Sequence, residues 1–130
     1  MSELGKKIWI FPDAYLPAKG NPYKTSSDGD QYSHESLCIV NYSINDANLI
    51  IDFLFEDEDP LENFKTIIKA KKSLHLRLDD ITINNMNLPR EKPYSIVLKS
   101  DLKVVAQLSR LDTTSKYNSF MTVLGWGVDV

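Results

Sequence analysis

Residues 73–78 read Ser-Leu-His-Leu-Arg-Leu. Leucine occupies every second position, and the residues between are polar. A β-strand turns successive side chains to opposite faces, so Leu74, Leu76 and Leu78 face one way and Ser73, His75 and Arg77 the other. Working outward from this strand, the same two-residue rhythm recurs. Leu49, Ile51, Phe53 and Phe55 share one face within 48–55, where Ile50 and Leu54 make the second face partly apolar too, as expected of a central strand. Phe64, Thr66, Ile68 and Ala70 fall together in 63–70. Further strands are predicted over 7–11, 36–41, 94–99, 103–112 and 119–124. No segment of ten or more residues has a convincing helical period. Asn45-Asp46, Asp59-Pro60, Lys71-Lys72 and Lys92-Pro93 supply turn chemistry between the runs. About eight short strands at this spacing predict an all-β fold, an antiparallel β-sandwich.

The totals fit that reading. The chain has 130 residues, of which 42% are hydrophobic and 25% charged. That composition suits one globular domain spanning 1–130 and excludes a disordered chain. The net charge of -3 argues against general nucleic-acid binding, because an acidic surface repels phosphate. Lys69, Lys71 and Lys72 form the one basic cluster, read as a solvated strand end. The single cysteine, Cys38, excludes an intramolecular disulfide and a Cys-rich zinc site. Lying among Leu37, Ile39 and Val40, it is expected to be a small buried hydrophobe. No stretch reaches the ~18 apolar residues of a membrane span, and residues 1–7 have no signal-peptide core. A cytoplasmic location is expected.

One connection stands out. Residues 12–33, PDAYLPAKGNPYKTSSDGDQYS, form a predicted loop of unusual length with three prolines and the aromatics Tyr15, Tyr23 and Tyr32. Long loops in compact domains are often functional. This one either covers a binding site or caps an open end of the sandwich.

Chemistry-bearing residues are few. The chain has no phosphate-binding glycine loop, no zinc-protease helix and no nucleophile elbow. With only His34 and His75, one chain cannot build a three-histidine metal site. A non-enzymatic role with no cofactor is expected. Ser33-His34-Glu35 stands where the long loop enters an apolar strand. In a regular strand His34 and Glu35 point to opposite faces, so they converge only if the strand starts later or bulges. Arg110 and Asp112 share a face with Val104, Ala106 and Leu108, which leaves a charged pair at the end of a core row. Burying such charges is costly unless they pair, so this is a salt bridge closing the core or a ligand contact. Arg77, beside Ser73 and His75, faces solvent or else meets a sugar acid or a partner subunit. The acids Glu56, Asp57, Glu58, Asp59 and Glu62, and the pair Asp28 and Asp30, are read as solvated turns, without calcium-loop spacing. Trp9 and Trp126 are assigned to the core or to a subunit interface.

Residues 32–41, Tyr-Ser-His-Glu-Ser-Leu-Cys-Ile-Val-Asn, resemble the sensory rhodopsin transducer family in their Ser-His-Glu, cysteine-containing apolar strand and closing Asn41. Residues 105–112, Val-Ala-Gln-Leu-Ser-Arg-Leu-Asp, are similar to the family's late strand. Trp9, residues 13–17, Gly20-Asn21 and Leu76-Arg77 before Asp79-Asp80 add to the likeness. The resemblance implies a β-sandwich like that of carbohydrate-binding modules, assembled as a homotetramer, binding a small molecule such as a sugar or polyol. It also implies a possible membrane receptor as partner, since the family's prototype couples a photoreceptor to a cytoplasmic response. DNA binding, proposed for that prototype, fits the acidic charge least. Matching residue by residue, the ligand-binding candidates are His34, Glu35, Arg77, Arg110 and Asp112. The acidic 56–62 turn and the 123–130 tail depart from the prototype.

Overall fold

The computed structural model describes residues 4–25 and 29–130, and every regular element among them is a strand. In chain order these are β1 (Lys6–Tyr15), β2 (Tyr23–Thr25), β3 (Gly29–Gln31), β4 (His34–Asn41), β5 (Ala47–Leu54), β6 (Leu61–Ile68), β7 (Lys72–Arg77), β8 (Thr82–Ile83), β9 (Met86–Asn87), β10 (Pro93–Asp112), β11 (Ser119–Leu124) and β12 (Trp126–Val128). The Ser-Leu-His-Leu-Arg-Leu alternation lies in β7 and just beyond it. Leu78 is fully buried, Leu74 and Leu76 are half-buried, and Ser73 and His75 are exposed.

The architecture turns on β10, which has 20 residues. Its first half pairs with β1 and β5, and its second half with β4 and β11. One layer therefore runs β12-β1-β10-β5-β6 and the other β7-β4-β10-β11, with every pairing antiparallel. The sequence reading placed two strands here, 94–99 and 103–112. The structure joins them through an irregularity. Lys6 is opposite Val104 while Ile8 is opposite Lys99, so β10 carries extra residues between these pairs. Ser100 Oγ accepts a bond from the Leu102 N–H at 3.2 Å, and Asp101 accepts the Asn48 backbone N–H at 2.8 Å. The polar stretch that looks like a turn is a bulge, and it carries the strand from one layer into the other.

The core lies between the layers. Tyr94, Ile96 and Leu98 from one half of β10 and Val104, Ala106 and Leu108 from the other are all buried. They meet Leu37 and Ile39 of β4, Ala47, Leu49, Ile51 and Phe53 of β5, and Trp9, Phe11 and Ala14 of β1. Each large aliphatic or aromatic side chain fully withdrawn from water here contributes roughly 1.5–3 kcal/mol. The Trp9 indole N–H donates to the Val104 carbonyl at 2.8 Å, which satisfies its one polar atom. As expected of a central strand, β5 lies between β10 and β6. On its opposite face Asp52 accepts the Asn63 N–H at 2.9 Å and pairs with Lys99 at 2.9 Å.

The long loop is shorter than predicted, because β1 continues to Tyr15 and β2 and β3 form a hairpin inside it. What remains is tied to one end of the sandwich. The Lys19 carbonyl accepts the Ser33 N–H at 3.0 Å, and the Asn21 N–H reaches the Thr113 carbonyl at 2.9 Å. Leu16 is buried, with its carbonyl accepting the Glu91 N–H at 2.7 Å. Gly20, at φ +73, packs against Thr113, where a Cβ would lie 2.6 Å from the hydroxyl. The loop thus closes an end, the second of its two predicted roles. At the other extreme, Gly125 separates β11 from β12. A Cβ there would lie 2.7 Å from the buried Phe11 ring.

Candidate functional site

Strand β4 is regular from His34 onward, so the pleat sends His34 and Glu35 to opposite faces of its sheet. Their register confirms it: Glu35 is opposite Arg110, and His34 is opposite Leu111. The five candidates therefore do not share one cleft. Glu35 and Arg110 meet inside the sandwich, His34 and Arg77 lie on the outer face, and Asp112 caps a turn.

The inner pair is built at the end of the core rows. Glu35 is fully buried, as are Leu37 and Ile39 along the same face of β4. Its Oε1 accepts the Tyr94 hydroxyl in a short hydrogen bond. Its Oε2 accepts the Tyr15 N–H and the Arg110 Nε–H, each at 3.1 Å. The Arg110 guanidinium lies 5.9 Å from the centre of the Tyr15 ring, and its Nη1 reaches Met121 Sδ at 3.7 Å. Among the described residues its buried Nη2 has no hydrogen-bond partner. Burial pushes the Glu35 carboxyl above its ordinary range, against Tyr94, Tyr15 and Arg110, which all favour the charged form. Burial, then the adjacent Glu35 charge, pushes the Tyr94 hydroxyl up as well. Both Glu35 oxygens are thus occupied internally, and the pair fastens β1, β4 and β10 together.

Asp112 does not join Arg110. Its Oδ1 accepts the Thr114 N–H at 2.9 Å and the Thr114 hydroxyl at 2.6 Å, closing its own turn. The salt bridge anticipated between the two is replaced by Arg110 with Glu35, because the opposite strand is nearer than the next turn.

The outer cluster centres on Asp79, which the sequence reading did not select. Arg77 donates to both its oxygens, Nε at 2.8 Å and Nη2 at 2.7 Å. Burial works to raise the Asp79 carboxyl, but the Arg77 hydrogen bonds and charge together hold it below the usual range. Arg90 stands 3.9 Å from Asp79 and donates to the Pro17 and Ser33 carbonyls at 2.8 and 3.0 Å, so it staples the long loop. His34 Nδ1 lies 2.8 Å from the Tyr32 carbonyl. A carbonyl only accepts, so Nδ1 carries the hydrogen.

Cross-strand pairing sets rows on the outer face of this sheet. Arg77, Ser36, Ser109 and Thr122 form one, and His75, Cys38, Gln107 and Leu124 the next. A shallow groove of about 210 Å³ runs along the second, edged by Ser73, Val40 and Val105. Cys38 is accordingly half-buried on this face, not a core residue: the even positions of β4 point outward, whatever the apolar neighbours imply. Trp9 is core, whereas Trp126 is exposed.

Glu58 pairs with Lys92, and Asp46 with Lys69 at 3.3 Å, as solvated turns do. Asp28 lies outside the described residues. Among the described residues no three His, Cys, Asp or Glu side chains are placed to hold a metal. None of the described residues forms a helix long and apolar enough to cross a membrane. Of the partners missed from sequence, Asp79 had a signal in its spacing, two residues after Arg77 at a strand end. Tyr94, 59 residues from Glu35, had none.

An antiparallel β-sandwich with a buried acid and tyrosine and a half-buried arginine joining its layers defines the class, and comparison with known proteins narrows it. The chain belongs to the Anabaena sensory rhodopsin transducer family, whose model matches residues 4–127. The crystal structure of Thermotoga maritima 1070 is 41% identical, with a TM-score of 0.81 over 97% of each chain. The Anabaena sensory rhodopsin transducer is 27% identical, with a TM-score of 0.68, over 84% of this chain and 90% of that one. No curated protein matches the chain.

Proposed function

We propose that this chain is a cytoplasmic, non-enzymatic transducer module that binds the inner face of a membrane receptor, such as a sensory rhodopsin, and passes its signal on. The observation that carries the reading is the family match over residues 4–127, together with the likeness to the Anabaena transducer. The geometry is compatible, because the buried charges are spent on holding the layers together. That leaves the outer face of the β7-β4-β10-β11 sheet for contacts. The family resemblance further implies self-assembly, with a tetramer as the expected form. The test is co-purification with a sensory rhodopsin from the same genome, held in nanodiscs, in the dark and under illumination. Binding in either state supports the reading, and no binding in both refutes it.

A second reading, binding of a sugar or related polyol, has one observation in its favour. The groove edged by Val40, Val105 and Leu124 has His75, Ser73 and Gln107 beside it and Arg77 one row away. Apolar carbons flanked by hydrogen-bonding groups suit a ring with C–H faces and hydroxyls. Calorimetric titration with monosaccharides and sugar acids tests it. No heat from any of them, with Arg77→Ala indistinguishable from wild type, ends this reading.

A further inference from the structure

We infer that Met121 is a site of reversible oxidation by hydrogen peroxide, and that the sulfoxide oxygen formed there is received by the guanidinium of Arg110. This goes beyond the transducer reading and does not depend on it.

Strand pairing sets Met121 of β11 opposite Arg110 of β10, so the two side chains share the inner face of their sheet. A guanidinium has five N–H donors and no acceptor. The Arg110 Nε–H goes to Glu35 at 3.1 Å. Nη1 donates to Met121 Sδ at 3.7 Å, and the buried Nη2 has no acceptor among the described residues. A thioether is only a weak acceptor, so the outer fork of the guanidinium is poorly satisfied. The sulfur beside it is also open to attack. Met121 is 37% exposed, and hydrogen peroxide is scarcely larger than water.

The step balances without a further reagent. A lone pair of Met121 Sδ attacks one peroxide oxygen and the O–O bond breaks. A proton passes between the two oxygens, and the second leaves as water. Sulfur loses two electrons, peroxide gains them, and no proton is released overall. In an apolar core the new oxygen disrupts packing. At Met121 it has a partner waiting. An oxygen added on the Arg110 side of Sδ accepts from Nη1 and Nη2, leaving Nε on Glu35. Bonds from a charged donor are the stronger kind, and a buried donor without a partner is costly. Oxidation therefore fastens β11 to the Glu35–Arg110 pair. Sulfoxide sulfur is chiral, and only one of its two epimers points the oxygen at the guanidinium.

The stereochemistry of the product tests the inference. The folded full chain is treated with hydrogen peroxide and then digested. Its peptides are divided between the two methionine sulfoxide reductases, each of which reduces one epimer. Met86, 56% exposed in the β8-β9 hairpin, is the internal comparison. At Met121 one epimer should exceed the other at least about fivefold, the discrimination one hydrogen bond supplies. The Met86 epimers should be nearly equal. Arg110→Lys keeps a cation beside Glu35 but loses the fork, and its Met121 epimers should even out. A second measurement needs no oxidant. Met121→Gln carries an oxygen on the same side-chain atom as the sulfoxide, and it should melt at least about 3 °C above Met121→Leu. That advantage should vanish in the Arg110→Lys background. Met121 left intact while Met86 is oxidised would overturn the inference. So would equal epimers at Met121, a skew that survives Arg110→Lys, or Met121→Gln melting no higher than Met121→Leu.

Discussion

Replacing Arg110 by Met tests what the inner pair does. The substitution keeps the aliphatic stem beside Tyr15 and removes the guanidinium. Glu35, fully buried, then loses its one cation and keeps the Tyr94 hydroxyl and the Tyr15 N–H. Breaking a buried ion pair on one side typically costs about 3–5 kcal/mol. Arg110 retains 19% of its side-chain exposure and two other donors hold the carboxylate, so the expected loss at pH 7 is nearer about 2–3 kcal/mol. The pH dependence separates an electrostatic cause from a packing cause. The Glu35 carboxyl is already raised above its ordinary value of 4.5 by burial, and loss of Arg110 raises it further. A carboxyl raised in the folded state binds its proton more tightly there than in the unfolded chain. Stability is therefore favoured at low pH and lost as pH climbs through the folded value. The deficit of Arg110→Met should shrink between pH 7 and pH 5, at a rate bounded by about 1.4 kcal/mol per pH unit. Urea unfolding followed by circular dichroism at both pH values measures it. The double variant with Glu35→Gln should recover at least about 1 kcal/mol of the loss at pH 7. A deficit below about 1 kcal/mol, or one equal at both pH values, would show that Arg110 is not holding a charged Glu35.

Other perturbations follow from the same geometry. Asp79→Asn should cost on the order of 1–2 kcal/mol at neutral pH. Because the Asp79 carboxyl is depressed in the folded chain, wild-type stability from this group is present above the ordinary Asp value of 3.8 and fades as pH falls through the folded one. Urea midpoints at pH 7 and pH 3 should therefore converge for variant and wild type. Gly125→Ala drives a methyl into the Phe11 ring and should lower stability by about 1–3 kcal/mol, read from thermal melts. Asn41→Leu orphans the Ile68 carbonyl at 3.0 Å and the Ser43 N–H at 3.0 Å, with an expected loss of about 2–3 kcal/mol in urea unfolding.

Most of the layering was legible in the chain because the period of two leaves its mark wherever one face is buried. Residues 73–78 show it, as does the doubly apolar 48–55, found between two other strands. The bend in β10 was not legible. Ser100 and Asp101 carry turn chemistry whether the chain reverses or bulges, and the choice is made by partners as distant as Asn48. At the candidate site, the pleat rule foretold that a regular strand would part His34 from Glu35. It could not foretell what each would meet. Tyr94 reaches Glu35 because β10 and β4 lie in a shared core, a fact of tertiary packing. Arg110 was rightly suspected of pairing, with the wrong acid. Cys38 was misplaced because its apolar neighbours alternate faces, and composition alone does not tell which face it takes.

The shared strand β10 also governs how the chain assembles during synthesis. Strand β1 has its partners in β10, about ninety residues downstream, and in β12, which lies later still, so it leaves the ribosome with no sheet to join. Until 93–112 emerges, β4 and β5 each lack the neighbour that places them in opposite layers. Folding of this protein therefore waits on one late segment, and a ribosome stalled ahead of it holds a chain whose β1 is unpaired and whose β4-β7 and β5-β6 pairs are not yet joined into layers, the kind of intermediate that chaperones bind.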